Sequence, residues 1–227
     1  MNRCVCMENP NALRRDAEDN RQRLLDAARE VFGERGLDAT LHDVARRAGV
    51  GVGTAYRRFS NKEELLDALL VQQVDDLEAA LRAGLDDPDA WNGMVHYLER
   101  ALAIQAGDRA IAQILSGRRV SQEKHDWQRD RLAPLVNALA ARAVAEGVVR
   151  PDLTGTDLIF LQIGISAIAG TTRKSGYELS QTNADDLYRR YLWIILDGIR
   201  ADERNSPLPV QALSTDETHY LLSPPQT

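Results

Sequence analysis

The sequence predicts an all-α protein: an N-terminal three-helix head carrying a helix-turn-helix, set on a mainly six-helix body. Three observations lead there. Apolar residues recur at helical spacing along most of the chain, with no alternating strand pattern, internal repeat or long low-complexity segment. The stretch from Thr40 to Phe59 reads as two short helices meeting at a tight turn. The last two apolar segments, around 158–170 and 187–199, are apolar on nearly every side.

Residues 1–18 lack periodicity and read as a flexible arm. Cys4 and Cys6 sit together there with no further metal ligand nearby, and the four histidines show no ligand spacing, so no metal and no cofactor is expected. Arg14 and Arg15 are a basic pair on that arm. The first helix should run from about Asp19 to Arg35, burying Leu24, Leu25, Ala28, Val31 and Phe32, with Gly36 as its stop.

Thr40 caps the second helix, and Asp43 lies three residues on, where a carboxylate suits the free N–H groups. Val44, Ala45 and Ala48 share one face; Arg46 and Arg47 lie towards solvent. Gly49 ends the helix with a residue at positive φ. In the third helix Val52, Ala55 and Phe59 form the buried stripe, leaving Gly53, Thr54, Tyr56, Arg57 and Arg58 facing outward. Ser60 with Glu63, or Asn61 with Glu64, opens the fourth helix. Lys62 then stands in a first turn, where the macrodipole disfavours a cation unless a phosphate is close.

The fourth helix carries Leu65, Leu66, Leu69, Leu70, Val74, Leu77 and Leu81 and ends near Gly84. It is longer than the head needs, which makes it the connector to the body. Asp87 and Pro88 start the fifth, with Trp91, Val95, Leu98 and Leu102 on one face and Met94, Tyr97 and Ala101 beside them. A short helix follows over 108–117. Another runs from Ser121 to about Glu146, with Trp127 near its start and Pro134 inside it to kink or split it. Thr154 and Asp157 open the next, which includes Leu158, Phe160, Ile165 and Ala169. Asn183 and Asp186 open the last, with Tyr188, Tyr191, Ile195 and Ile199. Residues 204–227, with four prolines, read as a loose tail.

The net charge of −6 argues against nucleic acid until it is divided. Residues 1–62 carry 12 Lys and Arg against 9 Asp and Glu, while the remainder carries 16 against 25. A basic head on an acidic body suits phosphate contact at one end only. No stretch is long and apolar enough for a membrane span, and residues 1–10 do not read as a signal peptide, so a cytoplasmic protein is expected.

Gly53 to Phe59, followed by Lys62, Glu63 and Leu65, resembles the signature of the tetracycline-repressor-type (TetR) family of transcriptional regulators. Leu24 to Phe32, then Gly36 and Thr40, is similar to that family's first helix and entry to the second. The resemblance is specific over residues 19–81 and architectural beyond; Gly51 and Ala55 stand where the family often has serine and leucine.

It implies a DNA-binding domain at 19–81, an effector-binding and dimerisation domain at 82–203, and a homodimer on double-stranded DNA with a palindromic operator. The protein is then a repressor released by a small, largely apolar effector. Thr40, Tyr56 and Lys62 are expected at phosphates, Thr54 and Arg57 nearest base edges, Gly53 at the point of closest approach, and Arg46 and Arg58 also at the duplex. Trp91, Met94, Tyr97, Ala101, Trp127 and Phe160 are the candidate pocket residues. Leu158, Ile165, Ala169, Tyr188, Tyr191, Ile195 and Ile199 are the candidate dimer interface. Two other readings compete. One is an architectural DNA-binding dimer without an effector, which a fully packed body would favour. The other is an all-α enzyme with a DNA-binding head, against which stands the lack of paired carboxylates, Glu-x-x-His pairs or nucleophile motifs.

Overall fold

A computed structural model describes residues 10–107, 122–174 and 187–223. Cys4, Cys6, the helix expected over 108–117 and the start expected at Asn183–Asp186 lie outside them. The described residues form nine α-helices and fall into two compact units, one up to Val71 and one from Gln72 onward.

The first unit holds α1 (Pro10–Arg35), a 3-10 turn (Gly36–Asp38), α2 (Leu41–Ala48), α3 (Val52–Arg58) and the start of α4 (Lys62–Asp86). Its core gathers Leu24, Leu25, Ala28, Val31 and Phe32 from α1, Leu41, Val44, Ala45 and Ala48 from α2, and Ala55, Phe59, Leu65, Leu66 and Leu69. Burying each large side chain contributes about 1.5–3 kcal/mol. Val52 packs against this core only in part.

α1 begins at Pro10, well before Asp19, so residues 10–18, expected in the arm, are helical. Proline suits a first helical position, and the following residues are mainly good helix formers that hold a helix without an apolar stripe. Ion pairing of Arg21 with Glu18 and a Gln22–Asp26 hydrogen bond support the solvent face.

In the second unit α4 continues, followed by α5 (Ala90–Gly107), α6 (Gln122–Ala145), α7 (Gly155–Lys174), α8 (Leu187–Ile199) and α9 (Thr215–Leu222). α7 packs on α5, α6 and α8 around Leu98, Leu102, Leu139, Leu158, Ile165, Leu192 and Leu196. α4 and α5 meet at Gly84 and Gly93, where a Cβ on Gly84 would lie 2.7 Å from the Gly93 carbonyl oxygen. Only glycine allows that approach.

Three local expectations change. α5 is capped by Asp89, which accepts the Asn92 N–H at 2.9 Å; Asp87 instead accepts the Asp89 N–H, which moves the start past Pro88. α6 runs through Pro134 as one helix, neither split nor ended there. Pro134 and Asp130, whose carbonyl loses its donor, are both exposed, so the helix places this defect on its solvent side. The tail is not loose throughout, because α9 is a capped helix. Ser214 accepts the Glu217 N–H while the Glu217 carboxylate accepts the Ser214 N–H at 2.8 Å. No helix among the described residues is long and apolar enough to cross a membrane.

Candidate functional site

The head's turn is built by local chemistry. Thr40 and Asp43 form a reciprocal capping box: the Thr40 N–H reaches Asp43 at 3.1 Å and the Asp43 N–H reaches Thr40 at 3.2 Å. The Thr40 hydroxyl, followed by its amide, holds the Asp43 carboxyl below its ordinary range, with Arg35 and Arg46 contributing. Gly49 closes α2 at φ 64°, and Arg23 donates to the Ala48 carbonyl at 2.7 Å. Gly51 starts α3 without a side-chain cap.

α3 turns Gly53, Tyr56 and Arg57 to solvent, with Tyr56 half exposed, and keeps Thr54 and Arg58 partly covered. Gly53, Tyr56 and Arg57 therefore share one face at i, i+3 and i+4. A Cβ at Gly53 would meet nothing within 4 Å, so nothing packed inside the protein requires glycine there. Arg57 lies back along its helix, its Nε 3.2 Å from the Gly53 carbonyl. Arg58 pairs with Glu18 of α1 at 3.3 Å and Arg46 with Asp43 at 3.2 Å. Asn61 caps α4 through the Glu64 N–H, while the Glu64 carboxylate takes the Ser60 N–H. The Lys62 ammonium sits 5.7 Å from the centre of the Phe32 ring. Arg47 is exposed as expected, and from the surface it ties α2 to α1 through Glu30 at 2.8 Å and Glu34 at 2.7 Å.

The body holds a cavity of about 290 Å³, at the lower end for small-molecule sites. Leu77, Leu132, Val136 and Ile159 form apolar wall; Tyr97, Gln105 and Gln162 bring polar groups; Thr215, Thr218, His219 and Leu222 come from α9. Of the six residues expected to line a pocket, Tyr97 lines this one. Met94 and Ala101 are fully buried in the core instead. Trp91 lies under the Arg200 guanidinium and Trp127 under that of Arg131, while Phe160 is half-buried away from the cavity. Burial pushes the Tyr97 hydroxyl up to about 12, so it stays protonated near neutrality.

The residues expected at a dimer interface divide in the same way. Leu158, Ile165 and Ile199 are buried in their own chain's core and cannot face a partner. Tyr188 and Ile195 are half-buried, Tyr191 is exposed, and the Ala169 side chain lies outside the described set. The large apolar side chains these two helices expose are Ile163, Tyr191, Trp193 and Ile194. An all-round apolar helix does not say in sequence which of its faces its own core takes.

Known proteins share this head and body. Residues 24–69 match the family of bacterial regulatory proteins named tetR, and residues 87–201 match the C-terminal domain of SbtR-like transcriptional regulators. The regulator SrpR of Pseudomonas putida is 32% identical over 58% of this chain, which spans 64% of that protein's length. The repressor KstR2 of Mycobacterium tuberculosis is 30% identical over 79% of this chain and 92% of its own. The crystal structure of the TetR regulator SCO0520 from Streptomyces coelicolor superposes with a TM-score of 0.62 at 28% identity, covering 80% of this chain and 98% of that one. Both family matches and these relatives are transcriptional regulators, not enzymes. The chain belongs to the TetR family.

Proposed function

We propose that this regulator is a homodimeric repressor that holds a palindromic operator with two copies of α3 and releases it when a small, largely apolar molecule fills the body cavity. The observation that carries this reading is a cavity with mainly apolar walls in a unit separate from the one bearing α3. A fully packed body would have supported the effector-independent alternative. Tyr56, Arg57 and Gly53 meet the major groove, with Thr54 alongside. Thr40, Arg46, Arg58 and Lys62 serve the phosphates, the arginines exchanging their carboxylate partners for phosphate oxygens. Two chains are needed because one such helix spans only a few base pairs, and Tyr191 and Ile194 on α8 give a partner an apolar face.

Sedimentation equilibrium should show a dimer at micromolar concentration, and Ile194→Asp should shift it to monomer with weak operator binding. A monomeric unmodified protein contradicts the dimer. Fluorescence anisotropy of the operator complex, challenged with a panel of apolar metabolites, should find compounds that lower affinity tenfold or more, equivalent to about 1.4 kcal/mol of coupling. If none does, the regulator acts without an effector.

A further inference from the structure

The polar groups of the cavity are arranged in one direction. Ser166 donates to Gln105, the Gln105 amide donates to the Gln162 carbonyl oxygen at 3.3 Å, and the Gln162 amide donates to the Tyr97 hydroxyl at 2.9 Å. Tyr97 thus ends the chain as an acceptor with its own proton still to give, and no acceptor for it occurs among the described residues. On another wall, Thr218 of α9 is 3% exposed and its hydroxyl has no hydrogen-bond partner among the described residues. A buried hydroxyl left unpaired is unfavourable, and both residues line the same cavity.

The charges near the rim are already matched. Arg129 bonds Asp130 at 2.8 Å and lies 3.8 Å from Asp126, while His219 reaches Asp126 at 2.7 Å. His125 is held below its ordinary range by burial and by His219, whose ring centre is 6.5 Å away. No unmatched cation is left among these groups for a carboxylate ligand.

α9 is fixed in place as a wall. Thr156 donates to the Leu213 carbonyl at 2.8 Å, Asn137 donates to the Thr215 hydroxyl at 3.1 Å, and the His219–Asp126 contact holds the far end.

We propose that the cavity takes an uncharged, mainly apolar molecule bearing a hydroxyl or carbonyl oxygen, which Tyr97 and Thr218 hold by hydrogen bonds, so that the C-terminal helix α9 is part of the effector site. This rests on the effector reading above and names its ligand class.

The test uses the full chain with 2-decanone and decanoate, matched in length and differing in charge, each displacing an environment-sensitive naphthyl ketone dye. 2-Decanone should displace the dye well below the concentration decanoate needs. Tyr97→Phe and Thr218→Val should each weaken 2-decanone roughly three- to tenfold. Thr218→Val should also leave the melting temperature unchanged or higher, because it removes an unpaired hydroxyl; a merely structural threonine would lower it. Hydrogen–deuterium exchange should slow over residues 214–222 when 2-decanone binds.

Decanoate binding as tightly as the ketone overturns the ligand class, and so does failure of 2-decanone to displace the dye. Unchanged affinity in both variants overturns the anchors, and unchanged exchange over α9 overturns the wall. Should 2-decanone bind as described yet leave operator affinity unaltered, the site chemistry stands and the release reading fails.

Discussion

Arg23 on α1 donates from its Nη2 to the Ala48 carbonyl at 2.7 Å, closing the C-terminal end of α2 where the reading turn begins. A guanidinium there satisfies a carbonyl that the helix leaves free and offsets the negative end of its dipole. The same group crowds Gly49, where a Cβ would meet Arg23 Nη2 at 3.2 Å on a backbone at φ 64°. Arg23→Met should destabilise the head by about 1–2 kcal/mol, and Gly49→Ala by a similar amount. Urea unfolding checks both; an unchanged midpoint for Arg23→Met removes the capping role.

Gly53 separates stability from binding. Its missing side chain answers to nothing inside the protein, so Gly53→Ala should raise helix stability by up to about 1 kcal/mol. Operator affinity should nonetheless fall, since the added methyl stands where the duplex approaches. A variant that gained in both melting temperature and affinity would show that the duplex does not need glycine here.

Lys62 and Arg57 should fail differently. Lys62→Ala should weaken all DNA sequences alike and lower the slope of log K against log salt by about one unit per half-site. Arg57→Ala should cost about 1–3 kcal/mol on the operator and relax preference at particular base pairs. Equal losses on operator and random DNA would place Arg57 at a phosphate.

Acid should loosen the segment that leads to α9. Asp152 binds Arg150 at 2.5 Å and accepts the Leu208 N–H at 3.0 Å, while Arg150 also donates to the Ser206 carbonyl at 2.7 Å. The Arg150 bond first, then the Leu208 amide, lowers the Asp152 carboxyl from 3.8 to about 2. A depressed folded value means that the stabilisation is complete above the unfolded value and disappears as pH falls through the folded one. Protection of the Leu208 amide, taken relative to its intrinsic exchange rate, should therefore fall between about pH 4 and pH 2, and Asp152→Asn should abolish that dependence. A pH-independent opening in the unmodified chain would exclude this pin.

The head was legible because its structure is set by neighbours in sequence. Thr40 with Asp43, Gly49, and the stripe of Leu24, Leu25, Ala28, Val31 and Phe32 each declare themselves within a turn or two. The cavity was not, because it exists only where α4, α5, α6, α7 and α9 come together. Large aromatic residues looked like pocket lining, yet Trp91 and Trp127 are covered by arginines, and the lining is completed by small polar residues such as Thr156 and Thr218. Two signals were present. Gln162 interrupts an otherwise apolar run, and Ser214 with Glu217 spells a helix start inside a segment whose prolines suggested none.

Selection of bound duplexes from a random DNA pool, followed by sedimentation of the winning complex, bears most directly on this regulator. The expected outcome is one enriched palindrome with its half-sites about a helical turn apart, bound by two chains and lost in Arg57→Ala. Enrichment of no sequence, or of a single half-site bound by one chain, would contradict a dimer reading DNA through α3.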